Sequence, residues 1–355
     1  MKIRARAPNR IDFAGGTLDI YPLYLFEGEG LTVNMAIDVR SRVEIETTSQ
    51  ESIVLHSHDL NQTVEAAHVD ALELGKELDL LARAVRFYRP SGGIRVTTEN
   101  QAPRGSGLGA SSALLMALSG SLARLVGTRL FGDNMIDWGA NLEAQNLKIP
   151  TGKQDYYAAV YGGVSAIHFG IKGVRREAIP LDATFGRELE ECLILSFTGI
   201  SHFSGTNNWN MMKRYIDSDS NTVECLRAIK KTAYQMREAF LARDVALIAA
   251  CLAQEWAHRK RLAEGVTTPE IDRMMAAAEG AGAHSSKICG AGGGGCMVTV
   301  ARKGERQAVE EALMSAGARI LPFKIDADGL VVEALQTSRT APHAADMKDV
   351  RQREA

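Results

Sequence analysis

The chain predicts an α+β fold in two halves, and three observations carry that reading. The first hundred residues are rich in short β-branched runs, residues 205–279 are mainly helical, and the last stretch mixes strands and a helix around a glycine cluster. An α/β fold with a doubly wound parallel sheet would instead alternate strand and helix from end to end.

Taken in order, residues 3–7, 31–36, 42–47, 53–57 and 93–99 read as strands, several of them alternating apolar and polar positions. Residues 76–87 read as a helix. Leu114, Leu115, Leu118, Leu122 and Leu125 recur at helical spacing behind a glycine-rich turn. Residues 133–147 form a further helix, Pro150 and Gly152 break it, and residues 154–161 resume one. Residues 170–187 fit a hairpin leading out of the first half, and residues 193–197 a buried strand. Strands at 285–288 and 296–300 flank the glycine cluster. A helix at 305–315 and strands at 319–325 and 330–335 complete the pattern. The expected units are therefore residues 1–185 and 186–336, followed by a polar, flexible tail at 337–355.

With 355 residues, 45% apolar and 24% charged, the chain can bury a sizeable core. A net charge of −2 predicts neither a nucleic-acid nor a membrane-surface partner. The beginning, MKIRARAPNR, lacks the apolar core of a signal peptide, and residues 245–253 are too short to span a bilayer. Five scattered cysteines (Cys192, Cys225, Cys251, Cys289, Cys296) form no CxxC pair, as reduced thiols of a cytoplasmic protein would. His56 and His58 share a strand face without a third metal ligand.

The strongest local signal is Pro103-Arg104-Gly105-Ser106-Gly107-Leu108-Gly109-Ala110-Ser111-Ser112, between a predicted strand and a predicted helix. Three glycines in five residues let backbone N–H groups face one point. The helix behind adds its unpaired N–H groups and the positive end of its dipole. Such a segment is either a cradle for phosphate or a glycine-rich turn with a serine N-cap. It is no Walker A loop, since Gly-Lys-Ser/Thr is missing, and no βαβ unit surrounds it. Downstream stand Glu143 and Asp155. Phosphoryl transfer needs a hard oxygen ligand for Mg²⁺, which suits Glu143 with Ser112, and a group to orient the attacking hydroxyl, which suits Asp155. Lys153 is placed to keep Asp155 ionised or to touch a phosphate. Near the start, Arg10 could neutralise transferring charge, while Asp19, beyond Gly16 and Thr17, could accept bonds from substrate hydroxyls. Near the end, Gly290, Gly292, Gly293 and Gly294 form a loop permissive enough for another backbone or a ligand to approach closely. A sugar would ask for partners near Asp19, Asn34 and Tyr157. His202 could touch the substrate or order its own loop.

These three motifs, in this order, resemble the GHMP kinase superfamily over residues 6–335. The resemblance implies an N-terminal domain like ribosomal protein S5 domain 2, a ferredoxin-like C-terminal domain, and ATP, Mg²⁺ and substrate held between them. It implies that Ser112 and Glu143 bind Mg²⁺, that Asp155 is catalytic and that Arg10 is the basic residue of the first motif. Phe13-Ala14-Gly15-Gly16-Thr17-Leu18-Asp19, Gly152-Lys153-Gln154-Asp155-Tyr156-Tyr157 and Phe197-Thr198-Gly199-Ile200-Ser201-His202-Phe203-Ser204 look like the heptose 7-phosphate kinase and fucokinase-like group. Gly16, Thr17, Asp19, Tyr157, His202 and Ser204 are then the expected sugar contacts. That group usually shows Gly-Thr-Asp; here Leu18 intervenes. A small-molecule sugar or sugar phosphate is the expected partner, and a homodimer is left open. The alternatives are a mevalonate-type isoprenoid kinase and a non-catalytic sensor that binds sugar and ATP.

Overall fold

The computed structural model describes residues 1–129, 132–201 and 204–335. It is α+β, as the order of elements predicts. The first half runs β1 (Lys2–Ala14), α1 (Leu23–Phe26), β2 (Glu29–Thr47), β3 (Ile53–Ser57), β4 (Gln62–Ala66), α2 (Asp79–Tyr88), β5 (Ile94–Asn100), α3 (Ala110–Val126), α4 (Asp133–Leu147), α5 (Gln154–Tyr161), β6 (Val164–Gly170) and β7 (Gly173–Ile179). The second runs α6 (Ala183–Cys192), β8 (Leu193–Phe197), α7 (Ser204–Ile216), α8 (Ser220–Ala242), α9 (Val245–Arg259), α10 (Pro269–Gly280), β9 (Ala283–Ile288), β10 (Cys296–Ala301), α11 (Arg306–Ser315), β11 (Arg319–Ile320) and β12 (Val331–Leu335).

An eight-stranded sheet is built on β1 and β2, and a four-stranded antiparallel sheet orders β11-β8-β10-β9. The two strands expected at 31–36 and 42–47 are one strand, β2. Its second half alternates Val43 and Ile45 inward with charged residues outward, where Lys2–Glu46 and Arg4–Glu44 pairs ladder the solvent face. Its first half is buried without a break, because helices cover both faces there. Phe13 of β1 meets Phe240 of α8 edge-on at 5.0 Å, so the first sheet and the second half share one core.

The hairpin expected at 170–187 sits earlier, as β6 and β7. Asp182 then caps α6 by accepting from the Thr184 and Phe185 amides, and this converts the rest of that stretch to helix. The last strand does not stay with the second half. Buried Asp326 takes Arg40 at 2.7 Å and the amides of Asp328 and Gly329, and β12 then pairs with β1. The tail expected at 337–355 lies outside the described residues. No helix among the described residues is long and apolar enough to cross a membrane. The five cysteines are free thiols, four of them buried.

Candidate active site

A cleft of about 650 Å³ runs between the halves. It is bordered by the loop before α3, the start of α5, the turn after β1 and the glycine loop between β9 and β10. The loop before α3 owes its shape to Gly105, Gly107 and Gly109, all at positive φ, the last of them the N-cap of α3. The amides of the first turn of α3 open on the cleft beside it.

This loop is stitched from two sides. On one, the Arg10 amide donates to the Leu108 carbonyl at 3.0 Å, and the Arg10 guanidinium to the Gly107 carbonyl. On the other, the Cys296 amide donates to the Ser106 carbonyl at 2.7 Å. A methyl at Gly107 would stand 2.4 Å from the Cys289 carbonyl oxygen, and one at Gly295 2.6 Å from that of Ser106. Gly292 is pressed against Val266 and Gly294 against Ile200 in the same way, while Gly290 faces Gly107. The second glycine loop thus serves as a backbone brace behind the first, and only Gly290 and Ala291 of it reach the cleft.

Arg10 is buried and gripped by Asp155: Nε and Nη2 both reach Oδ1, at 2.7 and 2.6 Å. Oδ2 is left on the side of Gly109, where a methyl would stand 3.0 Å away. Burial pushes the Asp155 carboxyl above its ordinary value against the pull of Arg10. Lys153 does not take part. As the residue before α5 it points the other way and pairs with Asp137 at 2.6 Å. This corrects the expectation that it would hold Asp155 ionised.

Ser112 lies near Glu143, the pair expected from the sequence, and Ser111, not expected there, meets Glu143 as well. Ser111 Oγ donates to Glu143 Oε1 at 2.5 Å, Ser112 Oγ to Oε2 at 3.4 Å, and the Tyr156 hydroxyl to the same Oε2. Glu143 is buried and joins no ion pair among the described residues, and its burial pushes the carboxyl up. A buried carboxylate without a cation, beside two hydroxyls and the glycine loop before α3, is a donor set that fits Mg²⁺, which keeps several waters and takes one or two carboxylates. Glu143→Gln is expected to raise the Mg²⁺ needed for half-maximal rate by roughly tenfold or more, with acceptor KM little changed. A Mg²⁺ titration of the initial rate checks it.

At the other end, Leu18 does not carry Asp19 out of the pocket. Thr17 adopts φ 77°, Leu18 tucks into the apolar core of the second half, and Asp19 faces the cleft only 4% exposed. Asp19 Oδ2 accepts the Gln154 amide at 3.0 Å, and a methyl at Gly152 would lie 2.0 Å from that oxygen. Burial, weakened by the Gln154 bond and aided by the Asp155 charge, raises the Asp19 carboxyl to about 6. Gly16 and Thr17 line the same wall, and Thr17 Oγ1 reaches Asn208 at 3.2 Å. Tyr157 is a correction: one residue along α5 from Tyr156, it turns into the core and stacks on Tyr161. Asn34 is likewise buried, donating to the Gln154 carbonyl. His202 and the Ser204 side chain lie outside the described residues.

Sequence reasoning missed a buried ionic cluster behind this wall. Lys287 meets Asp12 at 2.9 Å and Glu255 at 3.8 Å; Arg259 meets Glu255 at 2.5 Å and donates to the Gly16 carbonyl at 2.8 Å. All four side chains have no exposure. The available signal was a charge inside an apolar strand: Asp12 in Arg10-Ile11-Asp12-Phe13, Lys287 in Ser286-Lys287-Ile288.

With this geometry in view, the likenesses to known proteins are coherent. Residues 76–163 match the N-terminal domain of the GHMP kinases and residues 236–319 their C-terminal domain. The D-glycero-alpha-D-manno-heptose 7-phosphate kinase of Campylobacter jejuni is 28% identical over 334 residues, 92% of this chain and 98% of that protein. A mevalonate kinase of Pyrococcus furiosus is 26% identical over 350 residues, covering 94% and 99%. The crystal structure of a D-glycero-D-manno-heptose 1-phosphate kinase from Bacteroides thetaiotaomicron superposes with a TM-score of 0.78 at 25% identity, covering 94% of this chain and 100% of that one. Two domain matches in the order the fold requires, around one cleft, identify the chain as a member of the GHMP kinase superfamily and an ATP-dependent small-molecule kinase.

Proposed function

We propose that this kinase transfers the γ-phosphate of Mg·ATP to a hydroxyl of a sugar or sugar phosphate, with heptose phosphates the first acceptors to test, and that it works in the cytoplasm. The observation that carries the acceptor class is Asp19. It is a buried carboxylate in the cleft that holds Asp155, with one oxygen committed to the Gln154 amide. Such a group accepts hydrogen bonds from hydroxyls and repels a carboxylate, which disfavours a mevalonate-like acceptor.

In this reading the amides of residues 105–112 hold the triphosphate, and Ser112 and Glu143 hold Mg²⁺, which when bound offsets charge on the phosphates. Arg10 fixes Asp155 through Oδ1, so that Oδ2 is free to accept the acceptor hydroxyl and to hold its proton as the oxygen turns toward phosphorus. ADP release measured across sugars, sugar phosphates and mevalonate tests the proposal. Turnover of a sugar or sugar phosphate is expected, and turnover of mevalonate alone would overturn it.

Asp19→Asn separates function from stability. The acceptor KM is expected to rise while that for ATP stays nearly unchanged. Wild-type kcat/KM for the acceptor should fall as pH drops through about 6, the value to which burial raises this carboxyl. Stability should move the other way. A raised folded-state pKa gives stability that is fully present below the ordinary value of 3.8 and is lost as pH rises through about 6. The Asn variant escapes that loss, so it should melt higher than wild type at pH 8 and level with it near pH 3.5. Paired thermal melts at the two pH values check this.

A further inference from the structure

Seven buried side-chain atoms lack a hydrogen-bond partner among the described residues, and the one whose residue borders the cleft is Gln154 Oε1. Gln154 is held at both backbone ends: its amide donates to Asp19 and its carbonyl accepts from Asn34 at 3.0 Å. The residue is 4% exposed. It reaches over Gly16, where an added methyl would stand 3.2 Å from Nε2, 3.2 Å from Arg259 Nη2 and 3.0 Å from Asp12 Oδ2. A side chain at Gly16 would therefore crowd all three of these groups. In the chain Gln154 sits directly before Asp155, and its backbone amide is bonded to Asp19.

An acceptor oxygen buried and left unpaired is costly unless something donates to it, and Gln154 lines the cleft, where a bound acceptor can bring a donor. We infer that Gln154 is a specificity-determining residue: its Oε1 accepts a hydrogen bond from an acceptor hydroxyl other than the one phosphorylated. Resting on the sugar-acceptor reading above, this names the group that counts hydroxyls beside the reaction centre. A site built to pair with a hydroxyl rejects the analogue that lacks it far more strongly than an apolar pocket rejects an added group. Asp19 and Gln154, tied to each other through the Gln154 amide, then read two neighbouring hydroxyls of one acceptor.

The test is a set of deoxy analogues of whichever sugar or sugar phosphate the enzyme phosphorylates, each lacking one non-reacting hydroxyl. Two hydroxyl positions are expected to matter in the wild type, each costing roughly 10- to 100-fold in kcat/KM. Gln154→Met has similar length and no acceptor oxygen. It should lose about the same factor on the parent compound and lose all discrimination at one of the two positions. Discrimination at the other, and KM for ATP, should stay unchanged. Equal tolerance of every deoxy analogue by the wild-type enzyme would overturn the inference without any variant. So would a Gln154→Met enzyme that folds and slows uniformly on all acceptors. In both cases the sugar-kinase reading survives, because the parent sugar is still phosphorylated. Turnover of a non-sugar alcohol with no sugar accepted removes that reading and the inference with it.

Discussion

Asp155→Asn is expected to lower kcat by about 10²–10⁴-fold, the usual range for loss of a positioned acid–base group, with ATP affinity nearly preserved. The substitution keeps size and one carbonyl oxygen for Arg10. It replaces the free Oδ2, or its equivalent, with a donor or a weaker acceptor. The hydroxyl then loses the partner that aligns it and holds its proton. Because burial raises the Asp155 carboxyl above its ordinary 3.8, the wild-type rate should fall as pH drops through that raised value, higher on the pH scale than an exposed aspartate would give. Single-turnover kinetics of variant and wild type over a pH series, with nucleotide binding measured separately, check both statements. If the Asn variant keeps most of its activity, the proton passes directly to phosphate and Asp155 serves only to anchor Arg10.

The second large effect is on stability. Lys287→Met should destabilise the protein by about 3–5 kcal/mol, because removing one member of a buried ion pair strands the others. Asp12 and Glu255 would keep their charges without exposure, with Arg259 as the remaining cation among the four. The cluster ties β1 of the large sheet to α9 and β9 of the second half, so melting should lose cooperativity between halves as well as midpoint. Burial alone would raise the Asp12 carboxyl; Lys287, then Arg259 and Arg10, overcome it and hold it below 3.8. That contribution is present above 3.8 and is lost as pH falls through the lower folded-state value, the opposite sense to Asp19. Adding Asp12→Asn to Lys287→Met should restore part of the loss, since a neutral amide needs no counter-charge. Denaturant unfolding of the single and double variants measures both, and a single variant within about 1 kcal/mol of wild type would show that the stranded carboxylates reach water instead.

Local chemistry was legible wherever a function depends on backbone shape or on neighbours in sequence. Glycine spacing at 105–109 marked the turn before α3, because positive φ is a property of single residues. The bounds of α4, α5 and β8 follow from breakers and apolar period, which also act within a few residues. Glu143 and Asp155 stood out as carboxylates beyond that loop, and the tertiary structure brings both to it.

Direction was not legible. Lys153 and Asp155 lie two residues apart, and the turn of α5 sends them to different partners; Tyr156 and Tyr157, both buried, part in the same way, the one bonding Glu143 and the other stacking on Tyr161. The merger of two expected strands into β2 depended on helices that cover both faces of one half of it and a single face of the other. Likewise, β12 returns to β1 through Asp326 and Arg40, 286 positions apart. The sequence by itself determined which chemical groups the protein has and the local turns that present them. Only the tertiary structure decided which buried charges meet, because a charge removed from water is held by whatever partner the packing of distant elements brings within reach.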